Sequence, residues 1–200
     1  MRRFVVIGQK ARASADFLLV DIPSTSGRLD VLLRALRAAL LFSHGVRKDS
    51  LVYLLLLGLP ERACTARIEG AASKYLRPDE RSLATTLKKV LAGPCDSRAF
   101  VEVRAGLSVC GGGLDAVLPE LAGSVLYLLE PGGTDIRELR LDEPDQTFVL
   151  GDHLGLDATQ RAQLVAAGAR LVSVGPRALH TEDVIALVHN ELDRRENARD

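Results

Sequence analysis

The stretch FVLGDHLGLD, residues 148–157, sets an apolar run against an abrupt polar stop. Phe148-Val149-Leu150 has the length and composition of a strand buried on both faces. It breaks at Gly151-Asp152-His153, and Gly155 follows. Strands apolar on both sides belong in parallel sheets covered by helices. In such sheets ligands bind beyond the carboxyl ends of strands, where glycines let a ligand approach the backbone closely. The segment points to an α/β fold in which this strand end suits either a ligand site or a tight turn.

The flanking sequence extends this reading. Val125–Leu129 runs into Glu130-Pro131-Gly132-Gly133, and Arg170–Val174 runs into Gly175-Pro176-Arg177. Three glycine-bearing strand ends fit a ligand site, and equally fit tight turns. Further strands are expected at Phe4–Gly8, Leu51–Leu57 and Phe100–Val103, alternating with helical patterns. One helix spans about Leu29 to Phe42, with Leu29, Leu32, Leu33, Leu36 and Leu40 at helical spacing. A second starts near Pro78 with Asp79 and Glu80 in its first turn and closes on Lys88 and Lys89. A third starts at Thr181, an N-cap candidate, and carries Val184, Ile185, Val188 and Leu192 as its apolar stripe. The glycine-rich segment Pro94–Gly123 reads as a connection, and Asp193–Asp200 as a charged, frayed helix end. The fold class is therefore α/β, with a mainly parallel sheet between helix layers.

Composition narrows the function. Lys+Arg and Asp+Glu balance at 26 each in 200 residues, so a nucleic-acid partner must be met by a local patch. The longest apolar run is strand-sized, and the apolar run after the first arginines is too short for a signal core or a membrane span. Cys64, Cys95 and Cys110 lie far apart without a CxxC. They read as reduced thiols of a cytoplasmic protein, with neither a disulfide framework nor a zinc site. Neither GxxxxGK[ST] nor GxGxxG occurs, which disfavours a phosphate-loop nucleotide-binding domain.

GDHLGL, with SVGPRALHTEDVIALVHNELD (173–193) after the next strand, resembles the C-terminal half of the SPOUT RNA methyltransferases. DIPSTSGRLDVLLRALRAALLFSHGVRKD (21–49) and LRPDERSLATTLKKVL (76–91) extend the likeness over about Phe4 to Leu192. Within that class the chain is most similar to the archaeal tRNA pseudouridine-54 N1-methyltransferases and their bacterial relatives. The resemblance implies a single SPOUT domain over 1–200, with an RNA-facing half at 1–95. It also implies a deep trefoil knot, in the cofactor-binding part at 124–193.

The same resemblance assigns roles. S-adenosyl-L-methionine would lie against Gly151 and Leu128, with Val172, Ser173, Val174 and Leu179 wrapping the adenosine. Val184 stands at a position where relatives often carry cysteine. The implied reaction is methylation of N1 of pseudouridine in RNA, most naturally tRNA, by a homodimer that needs no metal. Arginine forks suit phosphate, which nominates Arg28, Arg34, Arg37 and Arg47 with Lys48, and Arg177 near the cofactor loop. Asp30 is the candidate base, with a first-turn helix carboxylate as its alternative role. Asp152 and His153 would brace the knot or the dimer, with direct chemistry as the alternative role of His153. His44 would cap the preceding helix, with contact to RNA as its alternative role. An RNA-binding or ribosome-assembly factor of the same fold with feeble catalysis is the competing reading.

Overall fold

The computed structural model describes residues 1–197. The chain begins with strand β1 (Arg2–Arg12), a short turn of helix α1 (Ile22–Thr25) and helix α2 (Leu29–Leu40). Next come a small hairpin, β2 (Leu41–Phe42) and β3 (Gly45–Val46), then β4 (Ser50–Gly58), β5 (Cys64–Glu69) and helix α3 (Glu80–Leu91). The middle holds β6 (Val101–Arg104), β7 (Leu107–Gly111) and α4 (Leu114–Val117). The last part is β8 (Val125–Asp135), β9 (Gln146–Gly151), α5 (Ala158–Ala166), β10 (Arg170–Ser173) and α6 (Thr181–Asn197).

Eight strands form one sheet in the order β10-β8-β9-β1-β4-β5-β7-β6. The first five run parallel, and β5, β7 and β6 are added antiparallel. In the register, Phe4 lies opposite both Phe148 and Val52. Because side chains alternate along a strand, Phe4, Val6, Leu54, Phe148 and Leu150 face one layer and Val5, Ile7, Leu55 and Val149 the other. The first layer packs against α2, α3 and α6; the second packs against Leu114, Val117, Leu121 and Leu164.

Helix α2 follows from its leucine spacing: Leu29, Leu32, Leu33, Leu36 and Leu40 are all buried. Its start is fixed by backbone geometry. A Cβ on Gly27 (φ 67°) would lie 1.8 Å from the Lys10 carbonyl oxygen, so only glycine lets the chain pass β1 there. The Ser26 hydroxyl then accepts from the first free N–H of the helix, Leu29 N, at 3.1 Å. Truncating a leucine of this face, such as Leu33→Ala, costs about 2–5 kcal/mol. Helix α3 is capped by Asp79, which accepts from Ser82 N at 2.8 Å.

Several expectations change. The Pro94–Gly123 segment is more than a connection, since it supplies β6, β7 and α4. Strand β5 and helix α5 were also not expected. Helix α5 buries only Gln160 and Leu164, too few to give a periodic signal. Cys64 and Cys95 are joined in a disulfide with Cα atoms 5.9 Å apart, so they are not reduced thiols. They stand 31 positions apart in the sequence, and it is the packing of the turn after α3 against the start of β5 that brings them together. Cys110 is the free thiol, and burial pushes it up to about 11. His44 sits exposed at the β2–β3 turn, while Leu41 closes α2, so it caps nothing. The charged tail continues α6 as far as Asn197, and residues 198–200 lie outside the described residues.

Candidate functional site

The carboxyl ends of β8, β9 and β10 open into a cleft of about 990 Å³, closed by the first turns of α2 and α6. Val172, Ser173, Val174 and Leu179 form one wall, Leu129 and Leu150 the floor, and Val184 the α6 side. Gly151, Arg28, Arg34 and Arg177 also line it. The residues nominated from sequence for the cofactor therefore meet in one place, with one exception. Leu128 is fully buried in the opposite core layer, because strand alternation turns its side chain away and presents Leu129 to the cleft.

The glycine at the strand end answers to its own loop. A Cβ on Gly151 would lie 2.5 Å from the Gly155 carbonyl carbon. There the chain doubles back, pairing Gly155 N with the Asp152 carbonyl oxygen at 3.0 Å. Asp152 holds this loop onto β1: its carboxylate accepts from Gln9 N at 2.9 Å and from Leu154 N at 2.8 Å. Gln9 in turn donates to the Gly155 carbonyl and to the Gln160 side chain. His153 lies 3.8 Å from the Asp152 carboxylate and faces the cleft.

Thr181 does not cap α6. The His180 carbonyl accepts from Asp183 N and Val184 N, while the Thr181 hydroxyl donates to the Gly151 carbonyl at 2.8 Å. That contact was not expected from sequence, nor was the ion pair between Arg34 and Glu182 at 2.8 Å. A polar first turn in α6 was the available signal.

The Asp30 side chain is buried behind the cleft wall and held by two guanidiniums, Arg28 at 2.9 Å and Arg34 at 3.0 Å. Burial alone would raise its carboxyl, but the hydrogen bonds from Arg28 and Arg34 outweigh this and hold it below the usual range. Arg34 continues the chain to Glu182 and approaches Glu80 of α3 at 4.0 Å. Arg28 is the most open member, its side chain about two-fifths exposed on the cleft. Arg47 lies elsewhere, paired with Asp193 of α6 at 2.7 Å. Arg177 is exposed on the loop after β10. Among the described residues no cluster of His, Cys, Asp or Glu could hold a metal ion, and no helix is long and apolar enough to cross a membrane.

The arrangement suits a molecule with an apolar-faced nucleoside part and a charged end. Aliphatic side chains of Val172, Val174, Leu179 and Val184 line the cleft. The Ser173–Leu179 loop offers backbone groups, and Ser173 fixes its turn by hydrogen bonds to the Gly175 carbonyl at 2.6 Å and from Gly175 N at 3.1 Å.

The sequence matches the family described as "Putative SAM-dependent RNA methyltransferase" over residues 1–197. It is 43% identical to the tRNA (pseudouridine(54)-N(1))-methyltransferase of Methanosarcina acetivorans, across 100% of this chain and 94% of that one. The protein of the same name from Pyrococcus abyssi is 38% identical, across 97% of this chain and 98% of that one. The fold matches the crystal structure of Archaeoglobus fulgidus Nep1 bound to S-adenosylhomocysteine, with a TM-score of 0.69 at 15% identity, covering 98% and 99% of the two chains. A full-length family match and relatives well above 30% identity, on a fold whose strand ends build this cleft, place the chain among the SAM-dependent RNA methyltransferases.

Proposed function

We infer that this enzyme methylates N1 of a pseudouridine in tRNA, at the position 54 carried in its relatives' names, using S-adenosylmethionine. The observation that carries this reading is the meeting, in one cleft, of an aliphatic wall from β10 and α6 with the Arg28–Asp30–Arg34 cluster of α2. The wall suits an adenosine; the cluster brings a positive edge to an RNA base and its phosphate.

Val172, Val174, Leu179 and Val184 would hold the cofactor, which would supply an electrophilic methyl group to N1 with S-adenosylhomocysteine as the leaving group and the N1 proton passing to water. The chain's own contribution is placement. Holding both partners in line accounts for most of the acceleration such a transfer needs, and the target base leaves its stack to enter the cleft. Asp30 works through the arginines it holds. A carboxylate kept charged between two guanidiniums is a weak proton acceptor, so we assign it the orientation of Arg28 and Arg34 in place of direct deprotonation.

In this reading residues 1–95 serve RNA and residues 124–193 serve the cofactor, the latter threaded as a trefoil knot. Leu187 of α6 and Leu171 of β10, both apolar and over a third exposed, belong to the face on which two copies pair as a homodimer. A tRNA substrate implies a cytoplasmic enzyme. The test is transfer of radiolabelled methyl from S-adenosylmethionine to a tRNA transcript carrying pseudouridine at the target position. The same transcript with uridine should take up no label. Tight binding of both RNAs without transfer would instead favour an RNA-binding factor of this fold. Light scattering at micromolar concentration should report the dimer mass.

A further inference from the structure

Of the arginines that line the cleft, Arg28 and Arg34 are already engaged, while Arg177 lies exposed on its loop without an ion pair among the described residues. Arg28 and Arg34 bind Asp30, Arg34 also binds Glu182, and Arg47 binds Asp193. A cation paired within the protein has less to offer a phosphate than one with no partner. Among the described residues, Lys74, Arg77 and Arg81 form no ion pair and donate no side-chain hydrogen bond, and all three are exposed. They lie on the loop before α3 and on its first turn. Asp79 caps α3 at Ser82 N and feels the charge of Arg77 at longer range, and Glu80 faces Arg34.

Between these cations stands Tyr75. Its side chain is 84% exposed, and its backbone is held at φ 61°, a left-handed conformation that disfavours a bulky residue. The loop beneath it is firmly seated. Ser73 N donates to the Glu69 carbonyl at 2.9 Å, the Ser73 hydroxyl is buried against Gly106, and Leu76 packs on the main core. An aromatic ring presented outward by an anchored loop, flanked by unpaired cations, has the makeup of a stacking platform for an unpaired base. The 4.0 Å approach of Arg34 to Glu80 places α3 beside the cleft wall. Five residues at about 3.5 Å each then keep Tyr75 within about 18 Å of the Glu80 backbone, a span of a few nucleotides.

We propose that Tyr75, with Lys74, Arg77 and Arg81, forms a second RNA contact that stacks an unpaired base of the same strand whose target nucleotide enters the cleft. The proposal rests on the RNA reading above and adds a site to it. Charge complementarity selects the partner, because the patch is cationic on a protein whose total charge is balanced.

The test is binding of a hairpin RNA with pseudouridine in its loop, by filter retention over a salt series, with S-adenosylhomocysteine titrated in parallel. Tyr75→Ala should weaken hairpin binding by about tenfold or more, and Tyr75→Phe should stay near the parent because the ring survives. Cofactor affinity should hold in both. Arg77→Ala and Arg81→Ala should each lower the salt dependence by about 0.7 in log–log slope. Hairpin binding by Tyr75→Ala within twofold of the parent would overturn the platform, as would a Tyr75→Phe variant as weak as Tyr75→Ala. A parent protein that binds cofactor but no hairpin would overturn the RNA reading and the platform with it.

Discussion

The Thr181 hydroxyl donates a 2.8 Å hydrogen bond to the Gly151 carbonyl, tying the end of β9 to the first turn of α6 across the back of the cleft. Both residues border the cleft, so this bond sets the distance between two of its walls. Thr181→Val keeps the shape and removes the donor, leaving a carbonyl without its partner at a cost of about 1–3 kcal/mol. Affinity for S-adenosylhomocysteine should fall by about tenfold in calorimetry, and Thr181→Ser should recover most of it. Parent-like affinity in Thr181→Val would show that other contacts set the wall spacing.

Gly151 itself should tolerate no side chain. Its Cβ would meet the Gly155 backbone at 2.5 Å, and a backbone neighbour cannot swing aside as a flexible side chain can. Gly151→Ala should therefore lower the unfolding midpoint and impair cofactor binding together, by the 1–3 kcal/mol or more typical of overpacking. A variant that melts with the parent yet loses the cofactor would instead place the ligand directly on the missing hydrogen.

Asp30→Asn removes the charge that holds Arg28 and Arg34 while keeping the side-chain volume. If Asp30 acts by orienting Arg28, methyl transfer should slow at every pH, and Asp30→Asn combined with Arg28→Ala should be little worse than either alone. Cofactor affinity should be nearly unchanged. A general base would behave otherwise: its removal would abolish the acidic limb of the pH–rate profile, and the double variant would lose both contributions.

How much of this was legible in the sequence depends on what carried the signal. The ends of β8, β9 and β10 could be read because each is an apolar run broken by glycine, and α2 because its leucines repeat at helical spacing. Val172, Ser173, Val174, Leu179 and Val184 fell in the cleft because motif order tracks chain order. Leu128 and Leu129 differ only in which face of β8 they occupy, and motif matching does not resolve a one-residue alternation. The partners of Thr181 and Arg47 are set by packing of distant segments, so nothing local announced them, whereas those of Asp30 (Arg28 and Arg34) stand at i−2 and i+4 beside it in the sequence. Helix α5 did leave a trace, the reciprocal cap between Asp157 and Gln160, which outlasts its weak apolar pattern.

The last prediction concerns His189, 2% exposed on α6 and packed 4.8 Å from the Phe4 ring. Its Nε2–H donates to the Ala39 carbonyl at 3.0 Å, and its Nδ1 accepts from the Arg2 guanidinium at 3.2 Å. That geometry requires the neutral ring, since a proton on Nδ1 would point at the N–H of Arg2. Burial is the main cause that pushes the imidazole down to about 4, with the charge of Arg47 adding to it. The folded state thus takes up its proton later than the unfolded chain, whose histidine titrates near 6.5. Stability from the neutral ring is complete above about pH 6.5 and is lost as pH falls toward 4, by roughly 3 kcal/mol in all. Asp30 and Asp193, whose carboxyls are held below their usual range, begin to lose their contributions only as pH falls below about 5, and do so alike in the parent and in a His189 variant. His189→Gln can serve both partners, its amide donating to Ala39 and its carbonyl accepting from Arg2, without titrating. The parent's melting midpoint should drop by about 6–12 °C between pH 6.5 and 4, while that of His189→Gln stays flatter over the same range. Parallel curves for the two proteins would mean that the imidazole keeps its ordinary affinity for protons despite its burial, and that Arg2 and α6 part from it without resistance.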